Sequence, residues 1–382
     1  MVDTDSPVWV TGMAWSTALG SELNATWESL LAGESGIIEV ATPLPLRTRY
    51  AAVVPELPLH WPPDKRQDCL TRATLARAVE DAGLSADDAG LLPVIGTSFG
   101  AHLDQPEHTV SLSAWSGRAA YEAGCIASPI TVSTACSAGA DAIQAGLALL
   151  KNGVTEICVC GGADTLTLGK RLSHSRLGTL SPDHLNAFDV SHNGTLLGEG
   201  AAFLVLETAA HAQARGAQPY GILAGAGSSN DAASAVAPDI SGRNVVLAVE
   251  RALQSAGITP SDVSIINAHA TGTATNDLVE ARAYAQLFSD VPHPPVLFAT
   301  KGALGHSLGA TGAIEAVAVL KALESGHVPP IQGLKTPMPE VTLPMPAGAP
   351  MPIRYGYGIS VTLGFGGFNT CLVFKKWEGA TV

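Results

Sequence analysis

The segments C-S-A-G-A-D-A-I-Q-A-G-L-A-L-L-K (136–151) and H-S-L-G-A-T-G-A-I-E-A-V-A-V-L-K (306–321) decide the fold. Aligned at an offset of 170 positions, Ser137 meets Ser307, Gly139 meets Gly309, Ala140 meets Ala310 and Lys151 meets Lys321. Each segment follows an apolar run with strand character, P-I-T-V-S-T before the first and P-V-L-F-A-T before the second. Each then opens a helix of small residues, and Gly and Ala let such a helix be buried on all sides.

A second pair rhymes at an offset of 174. A-R-A-V-E-D-A-G-L-S-A-D-D (76–88) matches E-R-A-L-Q-S-A-G-I-T-P-S-D (250–262), with Gly83 against Gly257. Both read as an amphipathic helix stopped at a glycine, then a turn and a buried strand. Strands alternating with helices predict an α/β sheet. Two copies predict a duplicated fold with a pseudo-twofold axis and halves of roughly 1–214 and 215–382. The Pro-rich stretch 328–346 is expected to be irregular and to wrap the surface. Final strands are expected around 356–361 and 371–374.

Composition narrows the function. The chain has 382 residues, of which 46% are hydrophobic and only 14% charged, against the usual quarter or so charged. A disordered chain needs the opposite balance. The net charge of −13 argues against nucleic acid and against an anionic membrane surface, both of which need a basic footprint. No run reaches the roughly 18 apolar residues of a membrane span, and the acidic start M-V-D-T-D-S-P lacks the basic region of a secretory signal. The six cysteines are scattered without C-x-x-C spacing, which predicts free thiols in a reducing, cytoplasmic compartment.

Five of those cysteines read as small buried hydrophobes. Cys136 differs, because T-A-C-S-A-G sits at a strand-to-helix junction. A helix N-terminus offers unpaired N–H groups and a positive dipole end, which is expected to lower a thiol's pKa. His306 holds the equivalent position in the second repeat, so the symmetry is expected to bring the two helix ends together. His269, in N-A-H-A-T-G-T-A-T-N-D, follows a buried strand, and Lys301 lies in an apolar setting where its charge needs a partner. Asp277, Glu280 and Glu315 are the nearby acids. The remaining histidines, His174 among them, read as structural.

In this order, T-A-C-S-A-G, H-A-T-G-T-x-x-N-D, K-x-x-x-G-H-x-x-G-A-x-G-x-x-E and G-F-G-G-x-N resemble the β-ketoacyl-acyl-carrier-protein synthases of the thiolase superfamily. The resemblance runs from the first strand (V-W-V-T-G-M-A) to the last, and two catalytic histidines resemble the elongating branch. It implies a thiolase-like, layered αβαβα architecture. It implies that Cys136 takes an acyl group, that His269 and His306 assist decarboxylation of a malonyl extender, and that Lys301, paired with Glu280 and Glu315, holds the local field. It also implies that Thr271 and Thr273 bind the phosphopantetheine arm and that Phe365 gates the acyl pocket. No metal, nucleotide or other cofactor is implied. The implied partners are an acyl carrier protein and a second subunit, in a homodimer or a heterodimer with a Cys-less chain-length subunit.

Three residues depart from the family pattern: Ala138 where Ser is usual, Ala270 where Gly is usual, and Phe368 where a small hydroxyl residue is common. Phe368 is expected to narrow the pocket, which keeps open an acyl-transferring or cyclising relative that uses the same acyl-Cys without elongation. The stretch between 96–98 and Cys136 is short for the family. A hydrolase reading of G-H-S-L-G (305–309) as a nucleophile elbow is disfavoured. K-G-A-L precedes it in place of a strand, and no Asp follows Ser307. Carrier proteins of this system are acidic, so docking needs a local basic patch. Candidates are Lys65 with Arg66, Arg72, Lys170 with Arg171, and Arg176.

Overall fold

The computed structural model describes residues 6–102, 104, 111–354 and 356–379. The acidic run 1–5 discussed above lies outside them. In chain order the strands are β1 (Val8–Ser16), β2 (Ile37–Glu39), β3 (Tyr50–Ala52), β4 (Leu91–Gly96), β5 (Ile130–Val132), β6 (Ile157–Asp164), β7 (Gly200–Thr208), β8 (Gly221–Asn230), β9 (Val263–Asn267), β10 (Val296–Phe298), β11 (His327–Val328), β12 (Met351–Pro352), β13 (Tyr357–Gly364) and β14 (Phe368–Lys376). The helices are α1 (Leu23–Leu31), α2 (Pro63–Asp81), α3 (Leu112–Glu122), α4 (Ala138–Lys151), α5 (Leu168–Leu177), α6 (Ala209–Ala214), α7 (Arg243–Ala256), α8 (Ala274–Phe288), α9 (Lys301–Leu304) and α10 (Thr311–Ser325).

Ten strands form one sheet in the order β10-β9-β13-β14-β8-β1-β7-β6-β4-β5. Outward from the β8–β1 junction, both sides follow one scheme. In each, the first strand pairs antiparallel with the fifth, the fifth antiparallel with the fourth, the fourth parallel with the second and the second parallel with the third. The sequence repeat is therefore a repeat of topology. Within the sheet, the two sides meet through Val8–Val10 against Gly221–Leu223.

Helices α4 and α10 pack against each other and against strands from both sides of the sheet. All of α10 from Thr311 to Leu323 is buried, as its small-residue composition requires. Helix α2 covers β1, β6 and β7, while α7 covers β8 and β14. The result is five layers, with the α4–α10 pair in the middle. Segment 328–346 is irregular, but it is more than a surface wrap. Ile331, Leu334, Met338 and Leu343 enter the core beside Val263, Ile266 and Tyr284, and the Leu297 N–H of edge strand β10 donates to the Pro344 carbonyl at 2.9 Å.

The central layer depends on backbone touching backbone. A Cβ on Gly162 would stand 2.6 Å from the Gly309 carbonyl oxygen and 3.0 Å from the Gly139 Cα. Gly162→Ala is therefore expected to force β6 and the two central helices apart and to cost about 1–3 kcal/mol. Gly117 in α3 has open space around it, so Gly117→Ala is expected to leave stability unchanged or slightly raised. Urea denaturation checks both, and a Gly162→Ala midpoint equal to that of the parent would refute the close-packing account.

Candidate active site

Cys136 lies in a short 3-10 turn, Ala135–Ser137, that leads β5 into α4. Ala135 adopts a left-handed φ of 53°, a conformation that needs local support in a residue with a Cβ. The support comes from Asp141 in the first turn of α4. Its carboxylate accepts from Thr134 Oγ1 at 2.5 Å, Ser137 Oγ at 2.7 Å and Thr370 Oγ1 at 2.5 Å. Gly364 packs beneath the turn, where a Cβ would stand 3.1 Å from the Thr134 carbonyl oxygen and 3.4 Å from the Cys136 nitrogen. The Phe365 N–H, next in the chain, bonds to the Cys136 sulfur.

His306 is delivered by the second repeat. Its backbone N–H donates to the Leu196 carbonyl and its carbonyl accepts from the Gly198 N–H, each at 2.8 Å. Nε2 stands 3.2 Å from Cys136 Sγ, and Nδ1 stands 3.0 Å from Thr311 Oγ1. The His269 ring faces His306 edge-on, with centroids 5.3 Å apart at 87°. One ligand atom from each of Cys136, His269 and His306 falls within 4.8 Å of the other two, so one small group can touch all three.

His269 is held through its backbone. Glu280 on α8 accepts from the His269 N–H at 2.8 Å and the Ala270 N–H at 2.6 Å. Ala270, the residue standing where Gly is usual, carries a left-handed φ of 45°, and the Glu280 bond pins it there. Asp277 accepts from the Gly272 and Phe188 N–H groups and lies 3.1 Å from His192 Nδ1. Thus Glu280 is not the partner of Lys301, contrary to the sequence expectation, because local N–H groups, Asn276 and the Tyr284 hydroxyl occupy its oxygens. Lys301 pairs instead with Glu315, at 2.5 Å.

Burial sets the electrostatics. It pushes the Cys136 thiol up to about 11, against the pull of the Phe365 N–H and Lys301. The helix end therefore does not leave a resting thiolate, which corrects the expectation from sequence. Burial, then the Lys301 charge, holds both His269 and His306 well below the usual imidazole range. Burial likewise raises Glu280 and Glu315 to about 7, with Lys301 pulling both back. At neutral pH the centre holds a neutral thiol beside two neutral rings.

A cavity of about 420 Å³ opens over this centre. Cys136, His269, His306, Thr271, Thr273 and Phe365 line it, so the structure brings these six together. Lys301, Asp277, Glu280 and Glu315 stand behind, fully buried. Phe368 does not line the cavity: it begins β14, opposite Gly364, and its ring packs over Gly366. It therefore does not narrow the pocket. Among the lining residues that carry no motif to single them out in the sequence is His174, stacked on Phe365 at 5.5 Å and 17°.

The basic candidates divide. Arg66 is buried against Glu199, Lys170 is buried against Asp164 at 2.7 Å, and Arg171 is buried against the Val40 and Arg49 carbonyls. None of these three belongs to a surface patch. Lys65, over the Trp61 ring, Arg72 and Arg176 are exposed. Arg176 adjoins Leu177, which lies on the cavity lining. No helix among the described residues is long and apolar enough to cross a membrane.

Comparison with known proteins agrees with this geometry. Residues 64–212 match the beta-ketoacyl synthase N-terminal domain and residues 220–335 the C-terminal domain. The chain is 33% identical to 3-oxoacyl-acyl-carrier-protein synthase 2 of Mycobacterium tuberculosis, over 96% of this chain and 97% of the relative. It is 30% identical to nodulation protein E of Rhizobium leguminosarum, over 97% and 100%. Among solved structures, the ishigamide ketosynthase/chain length factor superposes with a TM-score of 0.90 at 29% identity, covering 98% of this chain and all of that one. A beta-ketoacyl synthase from Burkholderia phymatum superposes at 0.87 and 27%, with the same coverage. With both domain models matched and near-full-length likeness to curated synthases, the chain belongs to the β-ketoacyl synthase family and has its thiolase-like fold.

Proposed function

We propose that this protein is an acyltransferase that condenses a carrier-bound acyl group with a malonyl-type extender, releasing CO₂, in fatty acid or polyketide biosynthesis. The 3.2 Å contact between Cys136 Sγ and His306 Nε2, with the His269 ring across from it, carries the reading.

In the first half-reaction Sγ attacks the thioester carbonyl as its proton moves to His306 Nε2. The tetrahedral oxyanion rests on the N–H groups of Cys136 and Phe365. The intermediate collapses, the C–S bond to the pantetheine breaks, and the imidazolium returns the proton to the departing sulfur. In the second half-reaction the extender's carbonyl takes hydrogen bonds from His269 and His306 while its carboxylate leaves as CO₂. The resulting enolate attacks the acyl-Cys136 carbonyl, the bond from that carbonyl to Sγ breaks, and the Cys136 thiolate takes up one proton from water, the proton that the overall condensation consumes. The hydroxyls of Thr311 and Ser307, 3.1 Å apart behind Nδ1, donate or accept as needed. His306 can thus offer a lone pair in the first step and Nε2–H in the second.

Thr271 and Thr273 hold the pantetheine arm, Phe365 gates the acyl group, and Lys301 with Glu315 fixes the field on both rings. The substrates arrive on an acyl carrier protein. Arg176, exposed and next in the chain to the cavity-lining Leu177, is the docking residue we favour, with Lys65 and Arg72 as further contacts. The enzyme works as a homodimer or beside a chain-length subunit. The similarity to the ishigamide ketosynthase/chain length factor supports the second arrangement as well as the first.

Cys136→Ala is expected to abolish elongation, and His269→Ala to keep the acyl adduct on Cys136 while slowing CO₂ release by about 10²-fold or more. Intact-mass spectrometry and CO₂ capture read the two steps separately; elongation by Cys136→Ala at the parental rate overturns the reading. A pH profile isolates His306. Its pKa is depressed, so the ring is already neutral at pH 7, and acyl transfer from a thioester is expected to be flat between pH 7 and 9. In His306→Ala the thiolate must form unaided from a thiol near 11. The rate should then start lower and climb about tenfold per pH unit. A flat profile in the variant would remove His306 as proton acceptor.

A further inference from the structure

His174 sits near the C-terminus of α5 and is 8% exposed. What remains accessible lines the cavity, where the imidazole stacks on Phe365. Nδ1 lies 2.9 Å from Thr179 Oγ1. The Thr179 hydroxyl proton has two acceptors in reach, Nδ1 and the His174 carbonyl at 3.2 Å. That carbonyl already accepts the backbone N–H groups of Gly178 and Thr179, which close the helix. Its two lone pairs are taken, so the hydroxyl proton goes to the shorter contact, Nδ1.

The consequence is a fixed tautomer. Burial holds His174 down at about 4, so at neutral pH the ring carries one proton, and with Nδ1 accepting, that proton is on Nε2. Nε2 has no protein partner among the described residues. Nε2 is not sealed from the cavity that His174 lines, so it is once an acyl chain fills that space that an Nε2–H without an acceptor becomes costly. An unbroken alkyl chain offers none.

Resting on the acyl-Cys136 reading above, we infer that His174 is a specificity-determining residue whose Nε2–H recognises an oxygen acceptor on the acyl chain, so that the site prefers oxo-substituted acyl groups to plain alkyl ones. Thr179 acts as its positioning residue. The reaction that supplies this substrate must then be one that leaves, or installs, oxygen on the chain before the next extension.

The test uses N-acetylcysteamine thioesters of octanoate and of its 3-oxo, 5-oxo and 7-oxo analogues, with the acyl adduct on Cys136 followed by intact mass. At least one oxo isomer is expected to acylate the parent about 5–10-fold faster than octanoate, the worth of one hydrogen bond. His174→Phe keeps an aromatic ring against Phe365 and removes the donor, so the ratio should fall to near one. Thr179→Val frees the tautomer and should narrow the ratio even if His174→Phe fails to fold. Equal rates for all four thioesters in the parent, or an unchanged ratio in a folded variant, overturn the inference and leave the acyl-Cys136 reading standing. An absence of any adduct overturns both.

Discussion

Everything at the centre depends on how closely α4 and α10 approach each other. Their contact runs through glycine: a Cβ on Gly139 would lie 2.9 Å from the Gly309 carbonyl, and one on Gly312 2.7 Å from the Ala140 Cβ. Cys136 and His306 stand just ahead of these two helices, so the separation of the helices sets the separation of sulfur and nitrogen. A single methylene between the helices is large against the 3.2 Å at which a proton can pass. The apolar composition of the chain follows from this. A helix pair enclosed by strands on both sides is built mainly from Ala, Val, Leu, Ile and Gly, with polar residues such as Asp141, Thr311 and Glu315 admitted where they have partners.

Enclosure also decides the charge state. A helix N-terminus stabilises a thiolate by a modest amount that fades within a turn, and the 3-10 turn holds Cys136 just short of the α-helix proper. Full burial disfavours the anion more strongly. The centre settles on neutral partners and keeps one paired charge, Lys301 with Glu315, behind them. That arrangement suits a reaction in which charge appears only transiently, on an oxyanion, an enolate or an imidazolium. Fixed donors in a dry site stabilise such charges without reorganising.

The duplicated topology and the joining of Cys136 with His306 are legible in the sequence because both leave local traces, the small-residue helices and their shared offset. His269 has no counterpart trace in the repeat: its place after a buried strand marks it as a candidate, and its role comes through the family motif. Long-range pairing is what the sequence hides. Lys170, Arg171 and Arg66 look like solvated basic faces, yet Asp164, Glu199 and the Val40 and Arg49 carbonyls draw them inside. His174 is hidden in the same way, within a helix whose basic residues suggest surface. Glu280 lies close enough to Lys301 in sequence to suggest a pair, though the backbone it faces takes up its oxygens first. Asp141 carries the one local signal that goes unread, an acid in the first turn after a reactive cysteine.

The repeat explains more than placement. Ser137 and Ser307 are equivalent, and so are Asp141 and Thr311, at the same offset of 170. In the first half Ser137 Oγ donates to Asp141 at 2.7 Å. In the second half Ser307 Oγ meets Thr311 Oγ1 at 3.1 Å. One device, a serine just after the functional residue bonded to a polar side chain in the first helical turn, thus occurs twice. The first copy ends in a carboxylate that accepts from the Thr134, Ser137 and Thr370 hydroxyls and so braces the turn that carries Cys136. The second ends in a hydroxyl that reaches the His306 ring and can donate or accept, so it supports either tautomer. A carboxylate in place of Thr311 would favour Nδ1–H permanently and hold a lone pair at Nε2, which serves acylation and not decarboxylation. On the mechanism proposed above, the divergence of Asp141 from Thr311 is what would let two equivalent helix ends do different chemistry, one as fixed nucleophile and one as reversible proton carrier.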